Sequence, residues 1–172
     1  FPQKAWALQT ITASKSRDPT TTTANTGDVR VYLGTFQWDK TLSGGPAPTL
    51  TGMTIKGNGT IDMIKLSGLE LRKDASGNNV PDATPTNDAL LTSLSCPAFS
   101  SGTTGTSACT FTSEGTFPLY VHVYVTINND GANPGKTISA IVSADTGNGT
   151  HAGTPTAGAA AITVNGTAAD WS

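Results

Sequence analysis

From Phe117 to Asn128 the chain reads Phe-Pro-Leu-Tyr-Val-His-Val-Tyr-Val-Thr-Ile-Asn, with Phe117, Leu119, Val121, Val123, Val125 and Ile127 all on odd positions. A period of two is that of a β-strand, whose successive side chains point to opposite faces. The odd face is dry and belongs on a core. The even face, with Tyr120, His122 and Tyr124, is left to solvent or to a partner.

The same reading carries along the chain. Residues 4–14 are extended in character, with Trp6, Leu8 and Thr10 on one face and Ala5, Ala7 and Ile11 on the other. The polar, proline-bearing tract 15–27 that follows has nothing to bury and reads as a linker. In the strand 28–38 the apolar positions are odd at first and even at Phe36 and Trp38, so Gly34 is expected to carry a bulge that switches the face. Strands at 49–56 and 60–66 flank Asn58-Gly59, the strongest short hairpin signal in the sequence. Further strands are expected at 69–72, 108–112, 137–144 and 159–164. Only residues 85–94 have helical spacing, with an Asn/Asp cap followed by Leu90, Leu91 and Leu94, for one or two turns. Many short strands separated by turn signals define an all-β fold, a jelly-roll-like two-sheet β-sandwich. Its body is residues 28–172, preceded by an extended N-terminal strand (1–14) and a Thr-rich linker (15–27).

Composition narrows the function. Threonine is the most abundant residue, as suits strands and polar turns. Charged residues are 13%, and Lys+Arg 10 against Asp+Glu 12 gives −2, which leaves no basic face for nucleic acid. No apolar run approaches membrane-spanning length, so no membrane insertion is expected. The first residue is Phe1 rather than Met, and Asn58, Asn148 and Asn165 each begin an Asn-Gly-Thr triplet that can accept a glycan. Together these point to an extracellular or cell-surface protein, secreted after signal-peptide removal. Cys96 and Cys109 bracket a Gly/Ser/Thr-rich run and are expected to form a disulfide, with two buried thiols as the alternative; two cysteines alone make no zinc site.

No catalytic signature stands out, and the chain is read as a non-enzyme. There is no Gly-x-Ser-x-Gly elbow, and His122 and His151 read as ordinary surface histidines. The acidic residues are scattered, although carboxylates distant in sequence can still meet in a fold. Asp74, Asn78 and Asp82, or Asn128, Asn129 and Asp130, offer oxygen ligands to calcium, but turn chemistry accounts for them without a metal, and no cofactor is expected. Tyr120, His122 and Tyr124 form a row that suits either a sugar-binding surface or a face covered by a loop or a neighbouring subunit.

A strand held off a β body by a polar linker has two fates. It folds back as an edge strand of its own sheet, or it leaves and completes the sheet of a neighbour by β-augmentation. In the second case Ala5, Trp6, Ala7, Leu8, Thr10 and Ile11 form the donor strand, and the row Phe117, Leu119, Val121, Val123 and Val125 walls the acceptor groove. The contact is heterologous and open-ended, so it yields a homopolymer by head-to-tail strand exchange.

The layout of N-terminal strand, low-charge sandwich body and Thr/Asn-rich loops resembles the donor-strand matrix fibre proteins of the TasA type and the archaeal bundling pilins similar to them. That resemblance implies a structural subunit of an extracellular filament, a pilus or biofilm matrix fibre, whose filaments can bundle laterally, with residues 4–14 as donor. Type IV pilins fit less well, because Pro2 and Lys4 follow Phe1 and no apolar helix does. Chaperone-usher pilins place their cysteines differently. The cannula-forming tube proteins of archaea are also similar in outline, and would imply calcium at subunit junctions. From a different class, a secreted carbohydrate-binding or adhesin sandwich would need aromatics exposed on a concave face.

Overall fold

The computed structural model describes residues 9–41, 47–82, 88–130, 132–148, 150–151 and 158–165. The strands are β1 (Thr10–Arg17), β2 (Thr23–Asn25), β3 (Val31–Thr41), β4 (Thr49–Gly59), β5 (Leu66–Asp74), β6 (Asp88–Leu90), β7 (Thr106–Glu114), β8 (Leu119–Ile127), β9 (Thr137–Asn148), β10 (Thr150–His151) and β11 (Ile162–Asn165). One sheet has the order β10-β1-β3-β8-β5-β6 and the other β2-β11-β9-β4-β7. Only the step from β5 to β6 stays within a sheet; every other connection crosses between them. The fold is thus the all-β sandwich that the alternating sequence pattern calls for. No helix among the described residues is long and apolar enough to cross a membrane.

The core lies between the sheets and is built from the predicted inward rows. Val121, Val123, Val125 and Ile127 of β8 face Ile55 of β4 and Ile138 and Val142 of β9 in one apolar cluster, all of them fully buried. Each such side chain contributes roughly 1.5–3 kcal/mol by leaving water. In β3 the apolar face does switch: Val31 and Leu33 are buried, then Phe36 and Trp38. The ladder to β8 slips between Tyr32 and Gly34, the expected bulge. Gly34 has φ of +132°, and a Cβ there would stand 2.8 Å from the Cβ of Ala159, so both backbone and packing require glycine.

Three expectations change. Asn58-Gly59 makes no hairpin, because β4 runs straight through it and pairs Asn58 with Ser139 and Gly59 with Ile138 on β9. Gly59 is needed there for close approach to the carbonyl of Thr137 rather than for a turn. The chain then crosses to the first sheet through a 3-10 turn, Met63–Lys65, which Asp62 caps and whose Met63 plugs the core. The stretch 85–94 is not helical where it is described: Asp88–Leu90 form β6, paired with Arg72, Lys73 and Asp74 of β5. Leu91 drops into the core from the turn that follows. The tract 15–27 is not a free linker either, since residues 15–17 complete β1 and Thr23–Asn25 add a strand beside β11. Main-chain pairing lets a polar tract join a sheet without apolar side chains to bury.

Cys96 and Cys109 form the expected disulfide, tying the run before β7 to β7 itself across a separation of 13 residues. Closing a loop of that size removes unfolded-chain entropy worth about 3 kcal/mol. The double substitution Cys96→Ala with Cys109→Ala is therefore expected to lower stability by roughly 2–4 kcal/mol. Urea denaturation monitored by tryptophan fluorescence measures it, and reductant should reproduce the loss in the native chain while leaving the variant unchanged.

Candidate functional site

Strand β1 is the part of the proposed donor segment that the structure describes. It runs antiparallel to β3 of the same chain, from Thr10 opposite Thr41 to Arg17 opposite Thr35. Ile11 and Ala13 point into the core and are buried, while Thr12 and Ser14 face out. Of the predicted donor residues, Thr10 and Ile11 lie on this strand; Ala5, Trp6, Ala7 and Leu8 fall outside the described residues. On its other edge β1 meets β10 at only two pairs, Thr10 with Thr150 and Ile11 with His151. Beyond them its edge carries no strand among the described residues.

Polar clips hold the far half of β1. Arg17 Nη1 donates to the carbonyl of Asn79 at 3.3 Å, and Asn79 Nδ2 donates to Ser16 Oγ at 2.7 Å. Asp18, just past the strand, accepts from Lys15 Nζ at 2.9 Å and from the main-chain N–H of Ala160 at 2.8 Å. These two bonds hold the Asp18 carboxyl below its ordinary 3.8, with Lys15 the larger influence. At the near end, Trp38 Nε1 donates to Asp145 Oδ2 at 2.9 Å, and His151 Nδ1, beside Ile11 in the ladder, lies 3.2 Å from Asp145 Oδ1 without a hydrogen bond. His151 thus lies on β10 with a largely buried side chain, and is not a surface loop residue.

The predicted acceptor row divides. Leu119, Val121, Val123 and Val125 are buried on β8, and Phe117 is half-buried at the core margin just before it. Strand β8 is flanked by β3 and β5 along both edges, so a strand donated beside this row finds no main-chain edge to join. The edge open to a terminal strand is that of β3, where β1 sits. Asn58, Asn148 and Asn165 stand at the ends of β4, β9 and β11 with exposed side chains.

The even face of β8 is also not what its pattern suggests. Tyr120 is half-buried, but His122 is fully buried and Tyr124 nearly so. Residues 75–82 leave β5 and return over that face, where Pro81 and Asp82 stand across a cleft of about 340 Å³ from Tyr32, Arg72 and Tyr124. Asp74 organises the return. Its Oδ1 accepts from the N–H and Oγ of Ser76 and from the N–H of Gly77, and its Oδ2 accepts from the N–H of Asn79 at 2.6 Å. Burial pushes the Asp74 carboxyl up, but these bonds together hold it below its ordinary value. The neighbouring Asn78 turns its side chain away, onto the N–H of Val80, and Asp130 of the second calcium candidate pairs with Lys65.

Beneath the cleft, the cross-strand neighbours Asp74 and Asp88 meet His122 of β8, with ligand-type atoms all within 4.8 Å of one another. His122 Nδ1 lies 2.6 Å from Thr35 Oγ1, which also bonds the hydroxyl of Tyr32. His122 Nε2 lies 3.7 Å from Asp88 Oδ2, too far for a hydrogen bond. Asp88 Oδ2 accepts the N–H of Asp82 at 2.8 Å, and Arg72 spends its guanidinium on Glu70 and on the main-chain carbonyl of Asp88. Burial lowers the His122 pKa, opposed by the carboxylates of Asp88, Asp74 and Asp82. Tyr124 is pushed up to about 12, by burial first and by Asp88 second. Hydroxyl, imidazole and carboxylate stand in the order of a hydrolytic triad in Thr35, His122 and Asp88. Both Thr35 and His122 are fully buried, however, which leaves a substrate no route to the hydroxyl.

The cluster is hidden in the sequence because a loop separates Asp74 from Asp88, and Asn87-Asp88 ahead of Leu90 and Leu91 has the pattern of a helix cap. The one available signal was the notably polar even face of β8 opposite Arg72. No protein-family model and no curated protein matches the chain.

Two outcomes are expected. Thr35→Val strips His122 Nδ1 and the Tyr32 hydroxyl of their common partner, and should cost about 1–3 kcal/mol in urea denaturation, against a smaller loss for Tyr32→Phe. Because Asp18 titrates below its ordinary value in the folded chain, its contribution is fully present above pH 3.8 and is lost as pH falls through the lowered value. Hydrogen exchange of the β1 amides, corrected for intrinsic rate, should therefore accelerate below that pH in the native chain, and be fast already at neutral pH in Asp18→Asn.

Proposed function

We propose that this chain is a structural subunit of an extracellular filament, joined to its neighbours by exchange of the N-terminal strand. The observation that carries the reading is the place of β1: the first described strand, paired among the described residues with β3 along its length and with β10 at two positions, with Ile11 and Ala13 completing the core. A slot that accepts the chain's own β1 accepts the identical strand of a second copy in the same register. Residues 18–22, including Pro19, link β1 to β2 and serve as the hinge. Closed within one chain, β1 gives a monomer; exchanged head to tail, it gives an open polymer with the same strand pairing and buried side chains. With few charges on the chain, the driving force is main-chain pairing and apolar burial, at roughly 25 cal/mol per Å².

The alternative of a glycan-binding or adhesin module draws less support. Tyr124, one of the aromatics that would form its platform, is covered rather than presented, and the cleft over it is lined with Arg30, Arg72, Asp82 and Asp88.

The decisive comparison is between the full chain and one lacking residues 1–14, by negative-stain microscopy and light scattering after size exclusion. The full chain is expected to form filaments, the truncated one to stay monomeric and to bind a synthetic peptide of residues 1–14. Assembly of the truncated chain as readily as the full one would sink the proposal.

A further inference from the structure

We infer that Asp74, Asp88 and His122 form a binding site for a divalent first-row transition-metal ion of the Zn²⁺ class, which staples the β5–β6 excursion to β8. The three side chains come from three strands, β5, β6 and β8, and their ligand-type atoms lie within 4.8 Å of one another. A cluster of carboxylates alone would not be a site. Here His122 is 0% exposed and Asp88 1%, and His122 Nε2 and Asp88 Oδ1 are buried atoms without a hydrogen-bond partner. Leaving such atoms without a partner costs stability, and two buried carboxylates with no cation beside them cost more.

Among the described residues no lysine or arginine reaches either carboxylate. The nearest candidate, Arg72, directs its N–H groups to Glu70 and to the main-chain oxygen of Asp88. Two carboxylates and one imidazole supply the negative charge that neutralises a divalent cation and the mixed O/N donor set that suits zinc and its neighbours over calcium or magnesium. The surrounding groups orient each ligand. Thr35 holds Nδ1 of His122 and thereby points Nε2 at the carboxylates, the N–H of Asp82 fixes Asp88, and the 75–79 turn fixes Asp74. The cleft, whose lining includes Asp88 and Asp82, gives an ion its way in. The site rests on these groups alone and is independent of strand exchange.

The test uses the full chain after dialysis against EDTA, titrated with Zn²⁺, Co²⁺ and Ca²⁺ by calorimetry and followed by thermal denaturation. Expected are one Zn²⁺ per chain, a raised melting temperature, and visible d–d absorption with Co²⁺. Asp88→Asn, which keeps the side chain's shape, and His122→Gln should each weaken Zn²⁺ binding by tenfold or more. Asp145→Asn, at the separate approach of Asp145 to His151, should leave it unchanged. Circular dichroism establishes that each variant is folded, and should His122→Gln fail to fold, Asp88→Asn with the Co²⁺ spectrum of the native chain decides. Absence of stoichiometric Zn²⁺ binding, binding unaffected by Asp88→Asn, loss of binding in Asp145→Asn, or Ca²⁺ bound more tightly than Zn²⁺ would each overturn the inference.

Discussion

Strand β8 is buried on both faces, and the rest of the molecule is arranged to make that tolerable. Its inner row, Leu119, Val121, Val123, Val125 and Ile127, needs only apolar neighbours, which β4 and β9 of the opposite sheet supply. Its outer row is polar and aromatic, so covering it carries a cost that each hydrogen-bonding atom must offset. Thr35 on β3 and Arg72 on β5 stand opposite His122 in the ladder. The loop after β5 is then shaped by one carboxylate, Asp74, accepting four hydrogen bonds, so that residues 75–82 can lie back over the row. A strand buried on one face would have needed none of this.

The edges follow from the same arrangement. Nearly every connection passes from one sheet to the other, so sequential strands do not protect each other as hairpins do. Edge protection comes instead from short strands: β6 on one side of the first sheet, β10 on the other, and β2 beside β11. Short edge strands are a common way to stop unwanted pairing. Two longer strands have little such cover among the described residues: β7, a nine-residue edge strand met on its outer side at the Ser95–Thr110 bridge, and β1, an eight-residue strand met by β10 at two pairs. An uncovered strand edge is a liability in a monomer and an asset in a polymer.

Most of the sheet content was legible because alternation is a local signal. The period-two rows of β3, β8 and β9 identified them, and the switch of face around Gly34 located a bulge. What escaped was decided by distant contacts. Asn58-Gly59 is locally a hairpin turn, but ten ladder pairs to β9 hold the chain straight through it. Leu90, Leu91 and Leu94 have helical spacing, yet Asp88–Leu90 gain more by pairing with β5, leaving Leu91 buried from a turn. The Thr-rich tract carries no apolar pattern, and β2 is held there by main-chain bonds, to which sequence patterning is blind. The histidine cluster was invisible for a related reason: exposure of an even face cannot be read from the strand itself when a loop elsewhere decides it.

The two proposed features meet at Asn79. Its N–H helps fix Asp74, while its carbonyl and side chain grip Arg17 and Ser16 of β1. Anything that stiffens the return loop, an ion on Asp74 and Asp88 included, therefore also stiffens the grip on β1. That grip is made through the register of β1 and does not depend on which chain β1 belongs to. A stiffened loop would hold a neighbour's strand as firmly as the chain's own, and would slow both its entry and its escape. In the proposed filament the slower escape is what would matter, because each subunit would be joined to the next through a single strand.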